Sequence, residues 1–309
     1  MMKKVIMDVD TGIDDALAIL YAIESEALDI LGITTVNGNV PLDYVTKNTL
    51  KVLHLAGENI PVHPGAVEPY LREAIHEFKV HGNDGIGNAL DDMTVTKELE
   101  DIFAADFIIE SAYKHNKDLT LIMVGPLTNL ALALKKDPAI KDMIGEVVIM
   151  GGVVSNVGHG NMLPTSEFNI FADAEAAKVV FHKGLDITLV SLDVTHQVMM
   201  TDEHVEKLKD TKYYDFVKDA TDEYMDYGLK LYGRRQCALH DPLTVGYVLD
   251  PALLKTEKYY VDVETSSPLS YGQTICDFRR LLGKEPNVNI CTGVDSERFL
   301  KDFIETLSS

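Results

Sequence analysis

Short apolar runs alternate along this chain with longer segments whose apolar residues recur at helical spacing. Val5-Ile6-Met7 reads as a buried strand, and 16–23 as the apolar helix that follows it. The alternation returns at 28–36, 119–124, 146–150 and 187–192, each a strand candidate. They empty into Asn37-Gly38-Asn39, Gly125-Pro126, Gly151-Gly152 and Asp193-Val194-Thr195-His196 respectively. Helices fit between them, at 127–134 and at 174–181, the second with Asp173 as cap and Gly184 as stop. This order predicts an α/β fold, an open and mainly parallel sheet with helices on both faces. The acidic stretch 201–232, which carries Tyr213, Tyr214, Tyr224, Tyr227 and Tyr232, reads as extra helices inserted outside the repeating unit. Aromatics at helical spacing are by default core. With no repeat or low-complexity linker in view, one domain over 1–309 is expected.

Polar positions break the pattern most sharply directly after the first strand. Asp8-Val9-Asp10-Thr11-Gly12-Ile13-Asp14-Asp15 puts four carboxylates into eight residues, in the tight strand-to-helix turn where parallel α/β proteins place ligands. Such a cluster repels itself unless a positive group sits within it, and a hard divalent cation bound by oxygens resolves the crowding. Capping of the following helix accounts for Asp14 and Asp15 but leaves Asp10 without a role.

Composition narrows the choice of partner. A length of 309 residues with 46% apolar side chains gives ample core. The net charge of -21, from 28 basic and 49 acidic residues, argues against nucleic acid, acidic membranes and polyphosphates as partners. It suits a soluble enzyme with a neutral or cationic small substrate. Cys237, Cys276 and Cys291 lie far apart, as free thiols of a reducing compartment do. Asp8 and Asp10 interrupt the N-terminal apolar run, so it is no signal peptide, and no stretch approaches the length of a membrane span. The cytoplasm is the simplest location.

Other polar clusters also follow strand candidates. Asn37-Gly38-Asn39 is by itself a turn signal. The segment 160–169 contains Asn161, Glu167 and Asn169, amide and carboxylate groups that suit the neighbouring hydroxyls of a sugar, although a polar loop with a capping Asn reads the same way. His240-Asp241-Pro242 precedes the apolar helix 243–249, and capping alone accounts for Asp241. The glycine-rich segment 81–87, beginning at His81, is most simply a flexible loop with a lid role.

Taken in order, these pieces resemble the inosine-uridine-preferring nucleoside hydrolases. The run 8–16 looks like that family's signature DxDxGxDDA. Asn39, 124–129, 150–152, Asn161, 167–169, His240-Asp241-Pro242 and the late Tyr271-Gly272-Gln273-Thr274 with Asp277 follow in the family's order. The resemblance covers nearly the whole chain and implies a Rossmann-related fold. It implies a Ca²⁺ held by Asp10, Asp15, Asp241 and the carbonyl of Val124, with Asp14 in the same cluster and hydrogen-bonding the ribose. It also implies that Asn39, Asn161, Glu167 and Asn169 hold the sugar hydroxyls, with Met150 packing near the ring. Asp10 would be the general base on a water held by the metal, and His240 the acid for the departing nitrogen. His81, Tyr227 and Tyr232 are the candidates for base or lid contacts. A homotetramer or dimer acting in nucleoside salvage is what the family leads one to expect.

The chemistry agrees with the resemblance. Breaking an N-glycosidic bond builds positive charge on the sugar, which a carboxylate-rich pocket stabilises most in the transition state. The core motifs contain no Lys or Arg, which favours a nucleoside over a nucleotide; Arg234 and Arg235 are the exception. Two rivals remain on the residues alone. In a haloacid-dehalogenase-like phosphatase Asp8 would be the nucleophile and Mg²⁺ the metal, but Gly12 departs from that pattern. A Ca²⁺-dependent sugar- or nucleoside-binding protein would use the same ligands without turnover.

Overall fold

The computed structural model describes residues 2–155 and 158–309, apart from the side chains of residues 79, 231 and 232. The strands run β1 (Lys3–Val9), β2 (Leu28–Thr35), β3 (Val62–Pro64), β4 (Leu119–Met123), β5 (Glu146–Met150) and β6 (Ile187–Val190). After them come β7 (Met199–Thr201), β8 (Gln236–Ala238), β9 (Leu254–Tyr259), β10 (Val261–Val263), β11 (Thr274–Cys276) and β12 (Val288–Val294). Eight of these form one sheet in the order β3-β2-β1-β4-β5-β6-β12-β9. All neighbours pair in parallel except β9, which closes the edge antiparallel to β12.

Five of the eight strands follow from the apolar runs. The three that do not are β3, only three residues long, β12, and β9. In β9, Lys255, Thr256, Glu257 and Lys258 are all exposed, so an edge strand with charged side chains offers no apolar run to read.

Successive residues of the central strands serve opposite faces. Val5, Met7 and Val9 join one core cluster while Ile6 joins the other, and Val148 and Val147 divide in the same way. One face is covered by α1 (Ile13–Glu24), which packs on α2 (Leu42–Ala56). The other face carries α4 (Ala104–His115) and α5 (Thr128–Lys136), with α3 (Phe78–His81) lying between α2 and α4 in sequence. Next come α6 (Phe168–Ala172) and α7 (Ala174–Phe181), where the Asp173 side chain accepts the N–H of Ala176 as the cap. The short α8 (Leu192–Thr195) follows β6.

The inserted helices are α9 (Asp202–Glu206) and α10 (Tyr214–Tyr232), with β7 and β8 paired as a separate antiparallel ribbon. Beyond them α11 (His240–Leu249) and the C-terminal α12 (Ser296–Leu307) both pack on α1. No helix among the described residues is long and apolar enough to cross a membrane.

Strand order reverses direction between β1 and β4. In a doubly wound sheet the crevice outside the carboxyl ends at such a point is the ligand site. The acidic turn after β1 and Val124 after β4 flank that crevice, joined where the Val124 N–H donates to the Asp8 carbonyl at 2.9 Å.

Candidate active site

The acidic turn folds on itself through Asp15. Its carboxylate accepts the N–H of Asp10 at 3.0 Å and of Gly12 at 2.9 Å, pinning the last strand residues to the start of α1. Position 12 must be Gly, because a Cβ there would run into the side chains of His81 and Asn39. Asn39 crosses from the end of β2: its N–H donates to Oδ2 of Asp10 at 2.8 Å and its amide to Oδ2 of Asp15 at 3.3 Å. The other Asp10 oxygen, Oδ1, is buried with no hydrogen-bond partner among the described residues.

Packing of α11 against α1 brings the fourth acid. One oxygen each from Asp14, Asp15 and Asp241 lie within 4.8 Å of one another, all buried. Asp10 stands against Asp15, outside that set of three. Capping does not explain Asp241: α11 starts at His240 after Leu239, which places Asp241 inside the first turn with its side chain in the cluster. Burial, then mutual repulsion, holds Asp10 and Asp241 well above the carboxylate range, and the same causes push Asp14 up to about 8. Buried anions with no cation among them, one with an orphaned oxygen, fit a hard divalent cation.

Asp8 behaves differently. Burial raises it to about 7, and one oxygen, Oδ2, takes the Thr34 hydroxyl at 2.5 Å and the Asn129 amide at 2.7 Å, away from the cavity wall, while Oδ1 is buried with no partner among the described residues.

A cavity of about 350 Å³ opens above the acids. Asp14, Asn39, Val124, Met150, Asn161, Glu167, Asn169, His240 and Asp241 all line it, so the structure unites residues the chain scatters over more than 200 positions. Asp10 and Asp15 lie behind this wall. Glu167 caps α6 and accepts the N–H groups of Gly152 (2.8 Å), Asn169 (2.8 Å) and Ile170 (3.1 Å), which fixes its carboxylate rigidly. The Asn169 amide donates to the Val124 carbonyl at 2.7 Å and to that of Met150 at 3.3 Å. The late Tyr-Gly-Gln-Thr segment stays outside the cavity and clamps its loop. Thr274 Oγ1 accepts the Val153 N–H at 2.9 Å and donates to its carbonyl at 2.7 Å, and the Ser166 hydroxyl donates to the Tyr271 carbonyl at 2.6 Å.

The cavity wall is also rich in histidine and tyrosine. His81 is not part of a loose loop: it ends α3, buried, and its Nδ1 accepts the Ile13 N–H at 3.1 Å. Burial lowers it to about 4, so the neutral ring keeps its proton on Nε2. The glycines after it do turn through positive φ, at 82, 85 and 87. Tyr227 lines the cavity from α10, whereas the Tyr232 side chain lies outside the described residues. Arg235 is engaged elsewhere, bound to Asp202, Asp222 and Asp226.

Glu77, His159, His196 and Gln236 also line the cavity and had not been singled out. His196 sits in the polar turn after β6, where strand-end position was the available signal. His159 lies between two glycines that read only as a loop.

The cavity thus joins an acidic floor at the switch point to amides, a fixed carboxylate and several histidine and tyrosine side chains. The model of the inosine-uridine preferring nucleoside hydrolase family matches residues 5–301, and the chain belongs to that family. It is thus an N-glycosyl hydrolase of ribonucleosides. The pyrimidine-specific ribonucleoside hydrolase RihB of Escherichia coli O157:H7 is 36% identical over 301 residues, covering 96% of this chain and 94% of the relative. Among solved structures, a plant nucleoside hydrolase is 35% identical with a TM-score of 0.92 and full coverage of both chains. The purine-preferring ribonucleoside hydrolase of Gardnerella vaginalis is 37% identical, with a TM-score of 0.91 and coverage of 99% and 98%.

Proposed function

We propose that the chain hydrolyses the N-glycosidic bond of purine or pyrimidine ribonucleosides, giving free base and ribose, with Ca²⁺ as its metal. The observation that carries this reading is the buried set Asp14, Asp15 and Asp241, with Asp10 against it, at the floor of a cavity whose wall has no Lys or Arg among the described residues. Asp10, Asp15, Asp241 and the Val124 carbonyl would hold the ion. When bound there it supplies charge balance and Lewis-acid activation of water.

The remaining roles belong to side chains. Asp10 takes the proton of the attacking water. Asp14, Asn39, Asn161, Glu167 and Asn169 hold the ribose hydroxyls, and Met150 packs on the sugar. Positive charge growing on the ring faces Asp14 and Glu167, a stabilisation that is larger in the transition state than in the bound substrate. His240, the candidate leaving-group acid, donates an Nε2–H hydrogen bond to the departing nitrogen, while His81 and Tyr227 face the base. Relatives of nearly equal identity bear names from both base classes, which supports a substrate range spanning the two. Free Cys237, Cys276 and Cys291 suit a cytoplasmic enzyme, and a dimer or tetramer is the assembly we assign.

Incubating the calcium-loaded protein with inosine, uridine and a panel of phosphoesters tests the reading. Ribose release is expected from the nucleosides. Tight nucleoside binding with no ribose release would make the chain a binding protein.

A further inference from the structure

Nδ1 of His240 lies 2.7 Å from the hydroxyl oxygen of Thr195. Thr195 ends α8, is fully buried, and does not reach the cavity. Its backbone is fixed on both sides: the N–H donates to the Ser191 carbonyl at 3.2 Å, and its carbonyl accepts the Val198 N–H at 3.0 Å. Among the described residues the hydroxyl makes this one hydrogen bond. With no other acceptor for its proton among the described residues, the hydroxyl gives it to the ring nitrogen, so Thr195 donates and Nδ1 accepts. A neutral imidazole that accepts at Nδ1 carries its own proton on Nε2, at the opposite side of the ring. Nε2 has no partner among the described residues, and His240 lines the cavity. The His196 ring meets the His240 ring edge-on, with centroids 5.5 Å apart, and limits its swing.

We propose that Thr195 is a positioning residue for the hydrolytic reaction, its hydroxyl holding His240 in the orientation and tautomer that present Nε2–H to the nitrogen of the departing base. The proposal rests on the reading of His240 as the group that faces that base. Without the hydroxyl, the buried Nδ1 lacks a donor. The proton then moves to Nδ1 or the ring turns. In the first case Nε2 becomes an acceptor facing the lone pair of the leaving nitrogen; in the second Nε2–H no longer points at it; either way the bond that should help the base depart is lost.

The test uses the full-length calcium-loaded protein and two substrates. Inosine has a poor leaving group that needs a hydrogen-bond donor at the departing nitrogen. p-Nitrophenyl riboside leaves unaided. Thr195→Val keeps the branched shape and removes the hydroxyl; Thr195→Ser keeps the hydroxyl. Thr195→Val is expected to lower kcat for inosine roughly 10-fold or more, with little change in KM and little loss on p-nitrophenyl riboside. Thr195→Ser should recover most of the inosine rate, and adding Thr195→Val to His240→Ala should cost nothing further. Equal losses on both substrates, or a serine variant no better than valine, would reduce Thr195 to packing and overturn the proposal. His240→Ala separates the two layers of argument. If it shows the substrate split and Thr195→Val does not, only the role of Thr195 falls. If His240→Ala itself harms both substrates alike, the acid role of His240 falls and Thr195 falls with it.

Discussion

Asp10 and Asn39 meet across the ends of the first two strands, where the Asn39 N–H holds one oxygen of the Asp10 carboxylate at 2.8 Å and leaves the other buried and unpartnered. A carboxylate anchored on one side and open on the other is oriented before any ligand arrives. The Gly38 between Asn37 and Asn39 makes this approach feasible, because a Cβ at that position would collide with the Asp10 side chain.

Gly38→Ala should therefore displace Asp10 while the sheet stays intact. We expect kcat to fall roughly 10²-fold, the loss that a displacement of about 1 Å produces in a catalytic constellation. Steady-state kinetics alongside far-UV circular dichroism checks this, and an unchanged kcat would show that Asp10 tolerates relocation.

The acid cluster makes a pH-dependent demand for metal. Burial, then neighbouring carboxylates, holds Asp14 at about 8, above the 3.8 of a free side chain. Between these limits the metal-free folded chain binds more protons than the unfolded chain, so the contribution of this group to stability is present below about pH 4 and is lost as pH rises toward 8. Chelation should thus lower the melting temperature more at pH 8 than at pH 5. The gap between Ca²⁺-loaded and chelated protein should widen by at least about 1.5 °C, which about 1 kcal/mol produces in a chain of this size. Differential scanning calorimetry at the two pH values measures it, and a gap that stays constant or narrows would contradict the assignment.

The sugar wall gives a separate expectation. Glu167 is held by three backbone N–H groups and Asn169 by two carbonyls, so neither can swing to cover a missing hydroxyl. 2′-Deoxynucleosides should have kcat/KM values lower by roughly 10² or more, because buried polar groups lose their partners. Comparing inosine with 2′-deoxyinosine and uridine with 2′-deoxyuridine decides this. Equal values would remove the hydroxyl-binding role.

Much of this site was legible before the fold, for reasons that differ from residue to residue. The acidic turn is dense in sequence, and self-repulsion alone flags Asp10, Asp14 and Asp15. Asn39 by itself reads as part of a turn and Met150 as the end of a strand, and only the family resemblance singles them out. Asp241 shows the limit: beside Pro242 it looks like a cap, and only the packing of α11 on α1 turns it into a member of the cluster. His81 was misleading in the opposite sense, because glycines on its C-terminal side suggest a loose loop while its ring is bound to the start of α1. Thr195 shared the strand-end signal of its polar turn, but its partner was hidden, since the contact with His240 spans 45 residues and neither position predicts the other.

The central claim is metal-dependent cleavage of the ribosyl–base bond with Asp10 as the proton acceptor. Its most direct test is the release of reducing sugar from inosine and uridine by the chelated protein, the Ca²⁺-restored protein and the Asp10→Asn variant with Ca²⁺. The account predicts ribose from both nucleosides in the restored protein, almost none after chelation, and a loss of roughly 10² or more in the variant on either base. Undiminished ribose release by chelated protein shown by elemental analysis to be metal-free, or by Asp10→Asn, would contradict it.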